Sequence, residues 1–285
     1  MQTVAEIKAT LSRLGIHPSK ALGQHFLLDE KTLRFTVEQA AIQKGENVLE
    51  IGPGLGVLTE ALARAGANVY AVEKDRNLAR YLTERFHNWK NVTIIPDNAL
   101  FFDPSRLKSY KLIANLPYNI TSPILRKFLE NDPKPSLIVV MVQKELGERI
   151  IAPAGDTNRG VLSVMVQFFG QPEIVGHVAR SKFWPQPSVD SVIVRIDAIN
   201  NQQLSIINKA FFTVVRAGFA KKRAQIHNAL KNSLHLPAPD VSLMLSKSNI
   251  DPIKRPEELS VEEWAALARV FKTSSQSSKK EKNSS

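Results

Sequence analysis

No cysteine occurs anywhere in the 285 residues, so disulfides, thiolate zinc sites and cysteine nucleophiles are all excluded. No apolar run approaches the ~18 residues that a membrane span needs, which argues against a membrane protein. The opening stretch, MQTVAEIKATLSRLGIHPSK, mixes both charge signs and lacks the apolar centre of a secretory leader, so a cytoplasmic location is the expectation. Acidic residues are also in short supply: 27 Asp+Glu face 38 Lys+Arg, a formal net charge of +11. Such an excess favours a polyanionic partner, nucleic acid before an anionic membrane surface, although a merely basic soluble protein would show the same balance. No metal is expected. The chain does have the ordinary means to fold: 43% hydrophobic and 23% charged residues, and length enough for a large domain plus a small one.

The hydrophobic periodicity is organised. Residues 3–14 have helical spacing and are closed by Gly15 and Pro18. A basic and apolar stretch, KALGQHFLLDE, leads into a helix predicted over about 30–43. Short apolar strands at 47–52, 68–73, 91–97, 111–118 and 136–143 then alternate with helices at 55–66, 75–87 and 122–131. That alternation implies right-handed βαβ units and a parallel sheet covered on both faces. Two more helices are predicted at 144–151 and 159–170, then strands at 173–180 and 189–197. The proline-rich SKFWPQPS between those last strands is short, so they must run antiparallel. The expectation is a mostly parallel seven-stranded sheet, reversed near its end, over residues 1–199. Residues 200–272 read as a small helical domain interrupted by Pro237, Pro239, Pro252 and Pro256. The last stretch, 273–285, is short of apolar groups and is expected to be a disordered tail.

The first strand runs into Glu50-Ile51-Gly52-Pro53-Gly54-Leu55-Gly56. Glycines here let the backbone approach a ligand at the mouth of the following helix. The second strand ends in Glu73, 17 residues past Gly56, where a carboxylate can accept from both hydroxyls of a ribose. An adenosine-containing cofactor is therefore expected at the carboxyl edge of the sheet. A dinucleotide fingerprint is G-x-G-x-x-G, but Val57 stands where its third glycine would fall. Glu50 would repel a pyrophosphate and suits a ligand with an ammonium and a sulfonium. S-adenosylmethionine is the favoured cofactor, over a nicotinamide dinucleotide or a purely structural turn. After the third strand, Asp97 or Asn98 can accept from the cofactor's adenine amine; an Asx-capped turn is the structural alternative.

The fourth strand ends in Asn115-Leu116-Pro117-Tyr118. This tetrapeptide suits methylation of a planar amine. The adenine N6 lone pair is delocalised into the ring, so the nitrogen is a poor nucleophile. Acceptors at its two hydrogens, the Asn115 oxygen and a backbone carbonyl at Leu116 or Pro117, would favour a tetrahedral nitrogen aimed at a sulfonium methyl. Pro117 fixes the turn and brings no competing N–H. Tyr118 can stack on the base. Catalysis would rest on positioning and aligned dipoles, with no strong base needed. In the stretch Phe183 to Ser191, prolines stiffen the loop, and Phe183 is favoured as a second stacking ring, with Trp184 as packing; both could equally anchor the core.

The order GQHFL, EIGPGLG, VEKD, NLPYNI, MVQKE, GVLSVMVQ and FWPQPSVDS resembles the ribosomal RNA adenine dimethyltransferases over residues 20 to 197, with weaker traces beyond. The resemblance implies a class I methyltransferase, Rossmann-like domain with a small C-terminal helical domain. It implies S-adenosylmethionine as methyl donor and two adjacent adenines near the 3′ end of small-subunit ribosomal RNA, in a pre-ribosomal particle, as target. It also places Gln24, His25, Leu27, Gly52, Gly54, Glu73 and Asn115 at the cofactor, with His25 where many members have asparagine. The family's aspartate before Ala-Leu falls on Asn98 here; a one-residue shift would put Asp97 in its place. Arg216, Lys221, Lys222 and Arg223 resemble the family's basic segment, implying phosphate contacts, though such runs are often only solvated faces. Nothing demands a dimer, so a monomer is expected.

Three other readings fit parts of the pattern. A large-subunit ribosomal RNA methyltransferase conferring antibiotic resistance shares these motifs. DNA adenine methyltransferases use a related tetrapeptide, usually with proline where this chain has Leu116. A binding factor that kept the fold, such as an assembly checkpoint or a transcription accessory, is argued against by the intact Glu73, Asn115 and Tyr118.

Overall fold

The structure, a computed structural model, describes residues 3–16, 24–199, 202–221 and 223–282. Its strands in chain order are β1 (Phe26–Leu27), β2 (Asn47–Ile51), β3 (Asn68–Glu73), β4 (Val92–Pro96), β5 (Lys111–Asn115), β6 (Leu137–Gln143), β7 (Gly170–Val178), β8 (Phe183–Trp184) and β9 (Ser191–Ala198). Seven join in one sheet in the order β4-β3-β2-β5-β6-β9-β7. Strands β4 to β6 pair in parallel, while β9 runs antiparallel to both β6 and β7. This is the Rossmann-like sheet expected, with the reversed strand, β9, next to the edge.

The helices of this part of the chain are α1 (Val4–Arg13), α2 (Glu30–Ala40), α3 (Val57–Arg64), α4 (Arg76–Arg85) and α5 (Thr121–Glu130). Their starts are written in the sequence. Thr3 and Glu6 close a capping box on α1, Asp29 accepts from Thr32 N–H, and Asp75 accepts from the N–H groups of Asn77 and Leu78. The central strands are apolar runs, not alternations, because both faces are covered. Val48, Leu49, Leu112, Ile113, Val139 and Val140 are each 0% exposed.

Contacts divide the chain into two compact units, Met1–Gly147 with Gly170–Ala198, and Glu148–Phe169 with Ile199–Ser285. The sequence reading kept residues 148–169 in the first domain. The chain instead leaves that unit along α6 (Lys144–Ile151) and returns after α7 (Val161–Phe169). The reason is packing: α7 is apolar nearly all round, and Val164, Met165 and Phe168 join a core with Ile207, Phe211 and Trp264. The rings of Phe168 and Phe211 stack with centroids 3.6 Å apart. The remaining helices of this second unit are α8 (Gln202–Gly218), α9 (Ile226–Leu234), α10 (Ala238–Lys247) and α11 (Val261–Lys282). Helix α11 takes in residues 273–282, which composition had assigned to a structureless tail. Among the described residues, no helix is long and apolar enough to cross a membrane.

Candidate active site

In the strand order, β2 lies between β3 on one side and β5 on the other, so the crossovers turn in opposite directions there. Such a switch point opens a crevice at the carboxyl ends of the strands. The register brings three sequence-predicted residues to that edge: Glu50 opposite Ala71, Glu73 opposite Pro96, and Asn115 opposite Met141. A cavity of about 340 Å³ lies there. Its lining includes Gln24, His25, Leu27, Glu50, Gly52, Gly54, Glu73, Asp97, Asn98 and the whole of Asn115 to Tyr118.

The glycine turn shapes one wall. Gly52, Gly54 and Gly56 all have positive φ, +67°, +59° and +80°. At Gly56 a Cβ would meet the Phe86 ring at 2.7 Å and Leu82 at 2.8 Å, so no larger residue fits without displacement.

The two glutamates are buried and close enough to feel each other. Glu50 is 1% exposed, and Thr59 donates its hydroxyl to Glu50 Oε2 at 2.6 Å. Burial pushes the Glu50 carboxyl up to about 8; the Thr59 hydrogen bond opposes this, and the charge of Glu73 adds to it. Glu73 is also raised by burial, against hydrogen bonds from the backbone of Asp75, Gly54 and Lys74. Asp75 N–H reaches Glu73 Oε1 at 2.9 Å. This cavity is therefore a poor host for a pyrophosphate and a fitting one for a ligand with positive charge and a ribose. S-adenosylmethionine, the cofactor the sequence favours, has both. Glu50, Glu73 and the glycine cradle are the residues that would hold it.

The opposite wall is the Asn115–Tyr118 turn. Asn115 Nδ2 donates to the His25 carbonyl at 3.2 Å, which leaves Oδ1 as the acceptor. The Pro117 carbonyl accepts from Ile120 N–H and from Thr121 Oγ1, both at 3.1 Å. Those bonds start α5 and occupy the Pro117 carbonyl, so of the two backbone acceptors considered Leu116 is the one favoured for a ligand. Tyr118 is fixed by its hydroxyl, 2.6 Å from Ser191 Oγ. Its ring lies 5.2 Å from that of His25, tilted by 31°. His25 Nδ1 in turn donates to the Pro185 carbonyl at 2.6 Å.

One sequence expectation is revised. Phe183 was expected to stack on a base, but its side chain is 2% exposed and packs with Leu27, Val139 and Ile193 in the sheet core. The cause is the ribbon of β1 and β8, which pairs Phe183 with Leu27 and turns the ring inward. Trp184 is the half-buried neighbour, stacked on Phe26 with centroids 6.5 Å apart. The sequence left Asp97 and Asn98 as alternatives in the turn after β4. Asn98 Oδ1 accepts from Leu100 N–H at 3.1 Å and is committed to the turn. Asp97 accepts from Asn98 N–H through one oxygen at 2.6 Å and keeps the other for a ligand. Both side chains line the cavity.

Sequence reasoning missed the role of Thr59, and within FWPQPSVDS it missed that Ser191 holds Tyr118 and that the Pro185 carbonyl holds His25. A hydroxyl three residues into a helix that follows a glycine turn was the available signal for Thr59. Of the basic residues, Arg216 lies in the last turn of α8, and Lys221 and Arg223 follow it, all exposed. Lys222 lies outside the described residues.

Comparison with known proteins converges on one chemistry. Residues 17–273 match the family described as ribosomal RNA adenine dimethylase. A ribosomal RNA small subunit methyltransferase A from Dehalococcoides mccartyi is 40% identical over 273 residues, covering 94% of this chain and 93% of that protein. The protein of the same name from Clostridioides difficile is 35% identical over 274 residues, covering 93% and 95%. The solved structure of a dimethyladenosine transferase from Plasmodium falciparum matches with a TM-score of 0.74 at 27% identity, over 87% of this chain and 98% of that one. A 23S rRNA methyltransferase, ErmE, matches with a TM-score of 0.65 at the same identity, over 87% and 99%.

Proposed function

Because this chain belongs to the ribosomal RNA adenine dimethylase family, we propose that it transfers methyl groups from S-adenosylmethionine to N6 of two adjacent adenines in small-subunit ribosomal RNA, giving N6,N6-dimethyladenosine. The observation that carries the chemistry is the pair of acceptors on one turn. Asn115 and Leu116 both line the cavity, and Asn115 Oδ1 and the Leu116 carbonyl would each take one hydrogen of an adenine amine. Two hydrogen bonds of that geometry pull the nitrogen from planar toward tetrahedral and free its lone pair. Tyr118, pinned by Ser191, offers its ring as the stacking face for a base drawn out of the RNA.

When bound, S-adenosylmethionine supplies an electrophilic methyl on a sulfonium. The residues do the rest. Glu73 takes the ribose hydroxyls, Asp97 the adenine amine, and Glu50 faces the positive charges. The methylated amine sheds its proton to solvent, so no residue has to act as a strong base. Catalysis comes from alignment and from dipoles fixed before the reaction, as Asn115 is fixed by His25. Arg216, Lys221, Lys222 and Arg223 would contact RNA phosphates. The residues proposed for methyl transfer all belong to one unit of the chain, so no second copy is needed to complete that set, in keeping with a monomer; the cytoplasm and a pre-ribosomal particle follow from the proposed substrate, the small-subunit RNA on which the relatives act.

The likeness to ErmE supports one second reading, methylation of large-subunit RNA. Mass spectrometry of adenosines from small- and large-subunit RNA treated with pure protein separates the two. Dimethyladenosine confined to the small-subunit RNA is expected. Its appearance only in the large subunit would overturn the assignment.

A further inference from the structure

Thr59 sits in the third position of α3, is 0% exposed, and makes an unusual choice of partner. A helical threonine ordinarily donates its hydroxyl to the carbonyl four residues back. Thr59 is too near the helix start for that: Leu55, four residues back, precedes the left-handed N-cap Gly56, and its carbonyl accepts from the Arg85 guanidinium, which also grips Glu60 at 2.7 Å. The Thr59 hydroxyl donates to Glu50 Oε2 instead. Among the described residues no hydrogen bond reaches Glu50 Oε1, and Glu50 lines the cavity. Nothing else with a polar side chain holds this buried carboxylate.

We propose that Thr59 is a positioning residue that aims Glu50 at the cofactor and sets the cavity's preference for the doubly cationic methyl donor over its product, which has lost the sulfonium charge. The proposal rests on the placement of the cofactor beside Glu50 argued above. Its physics is one of compensation. Burial alone favours the protonated, neutral carboxyl, and the like charge of Glu73 pushes the same way. A donated hydrogen bond stabilises the ionised form more than the neutral one, so Thr59 keeps ionisation within reach of a cationic ligand. The product has one positive charge fewer to offer, and the carboxyl retakes a proton as it leaves. His25, Glu73, Lys74, Asp75, Asp97 and Tyr118 line the same cavity and set the background field in which this exchange occurs.

The test is calorimetric titration of the full chain with S-adenosylmethionine and with S-adenosylhomocysteine from pH 6 to pH 8.5. The proteins compared are the parent, Thr59→Val, Thr59→Ser, Glu50→Gln and Thr59→Val/Glu50→Gln. Valine keeps the shape without the hydroxyl. It is expected to weaken the sulfonium ligand about tenfold, the worth of one hydrogen bond to a charged group. The thioether should change less than about threefold, in keeping with the unaltered shape of the site. The pH at which methyl-donor affinity rises should move upward in Thr59→Val, and Thr59→Ser should restore it. In the Glu50→Gln background the valine change should add nothing. Equal weakening of both ligands with an unmoved pH profile would show Thr59 to be structural and overturn the proposal. If Glu50→Gln itself left methyl-donor affinity untouched, the placement of the cofactor beside Glu50 would fall instead. Comparable thermal melts of the variants would establish that folding is not the cause.

Discussion

The side-chain amide of Asn115 donates through Nδ2 to the backbone carbonyl of His25 across 3.2 Å, joining segments 90 residues apart. The bond decides which end of the amide faces the cavity. Without it, Asn115 could present a donor as readily as an acceptor, and a donor would repel the hydrogens of an amine.

Replacing Asn115 by alanine should therefore cut methyl transfer by at least about 100-fold, the usual loss when one preorganised polar contact to a reacting group is removed. RNA affinity should stay within about threefold, since that affinity comes mainly from phosphates. Labelled-methyl incorporation and filter binding on the same preparation measure the two. Parallel loss of both would mean that Asn115 only holds the turn together.

Glu73→Ala should act on binding rather than on chemistry. The carboxylate is held by Asp75 N–H and faces a ribose in the proposed complex. Cofactor affinity should fall about 10- to 100-fold, as for hydrogen bonds to a charged group, with little change in rate at saturating cofactor. Calorimetry showing unaltered affinity would contradict the ribose assignment.

Among the glycines, Gly56 and Gly155 separate two effects. Both have positive φ, +80° and +91°, but only at Gly56 would a Cβ strike neighbouring side chains. Gly155→Ala should be destabilising by about 1 kcal/mol, from backbone strain alone. Gly56→Ala should add the cost of displacing Phe86 and Leu82, roughly 1–3 kcal/mol more. Thermal and denaturant melts read the difference, and equal losses would mean the ring simply moves aside.

Glu50 makes stability depend on pH in the opposite sense to most carboxylates. Its carboxyl titrates near 8 in the folded protein against an ordinary value of 4.5. The raised group contributes stability in full below 4.5, and that contribution is lost progressively as pH rises toward 8. The cofactor-free protein should thus melt lower at pH 8 than the other ionisable groups require, and Glu50→Gln should flatten that part of the profile. An identical slope in the variant would rule out the carboxyl as its source.

Affinity for RNA should fall steeply with salt, because phosphate contacts release counterions, with a slope near −0.7 per contact on single strands. Neutralising Arg216 and Lys221 together should lower the slope by about one to two units. An unchanged slope would remove these cations from the interface.

The parallel sheet was legible because its strands are buried on both faces and read as plain apolar runs such as LIVVMVQ. Glu50, Glu73 and Asn115 were legible because strand ends and a glycine turn fix where side chains emerge, whatever the distant packing does. Phe183 was misjudged because its direction depends on pairing with Leu27, more than 150 residues away in the chain, and no local pattern encodes that ribbon. Thr59 was overlooked because the only local signal was its place in the first turn after the glycines, and its partner, Glu50, lies on the preceding strand. The placement of 148–169 was missed for a similar reason. An apolar helix announces that it is buried, not which core buries it.

The bond from His25 Nδ1 to the carbonyl of Pro185 carries a consequence for how the enzyme is made. The glycine cradle and both glutamates are complete once about the first third of the polypeptide has left the ribosome, whereas the anchor of His25, and through it the amide of Asn115, waits for a residue near the two-thirds mark. A nascent chain thus holds its donor-binding residues well before its methyl-accepting centre is set. Products of premature termination between those points would lack the arrangement needed to modify an adenine.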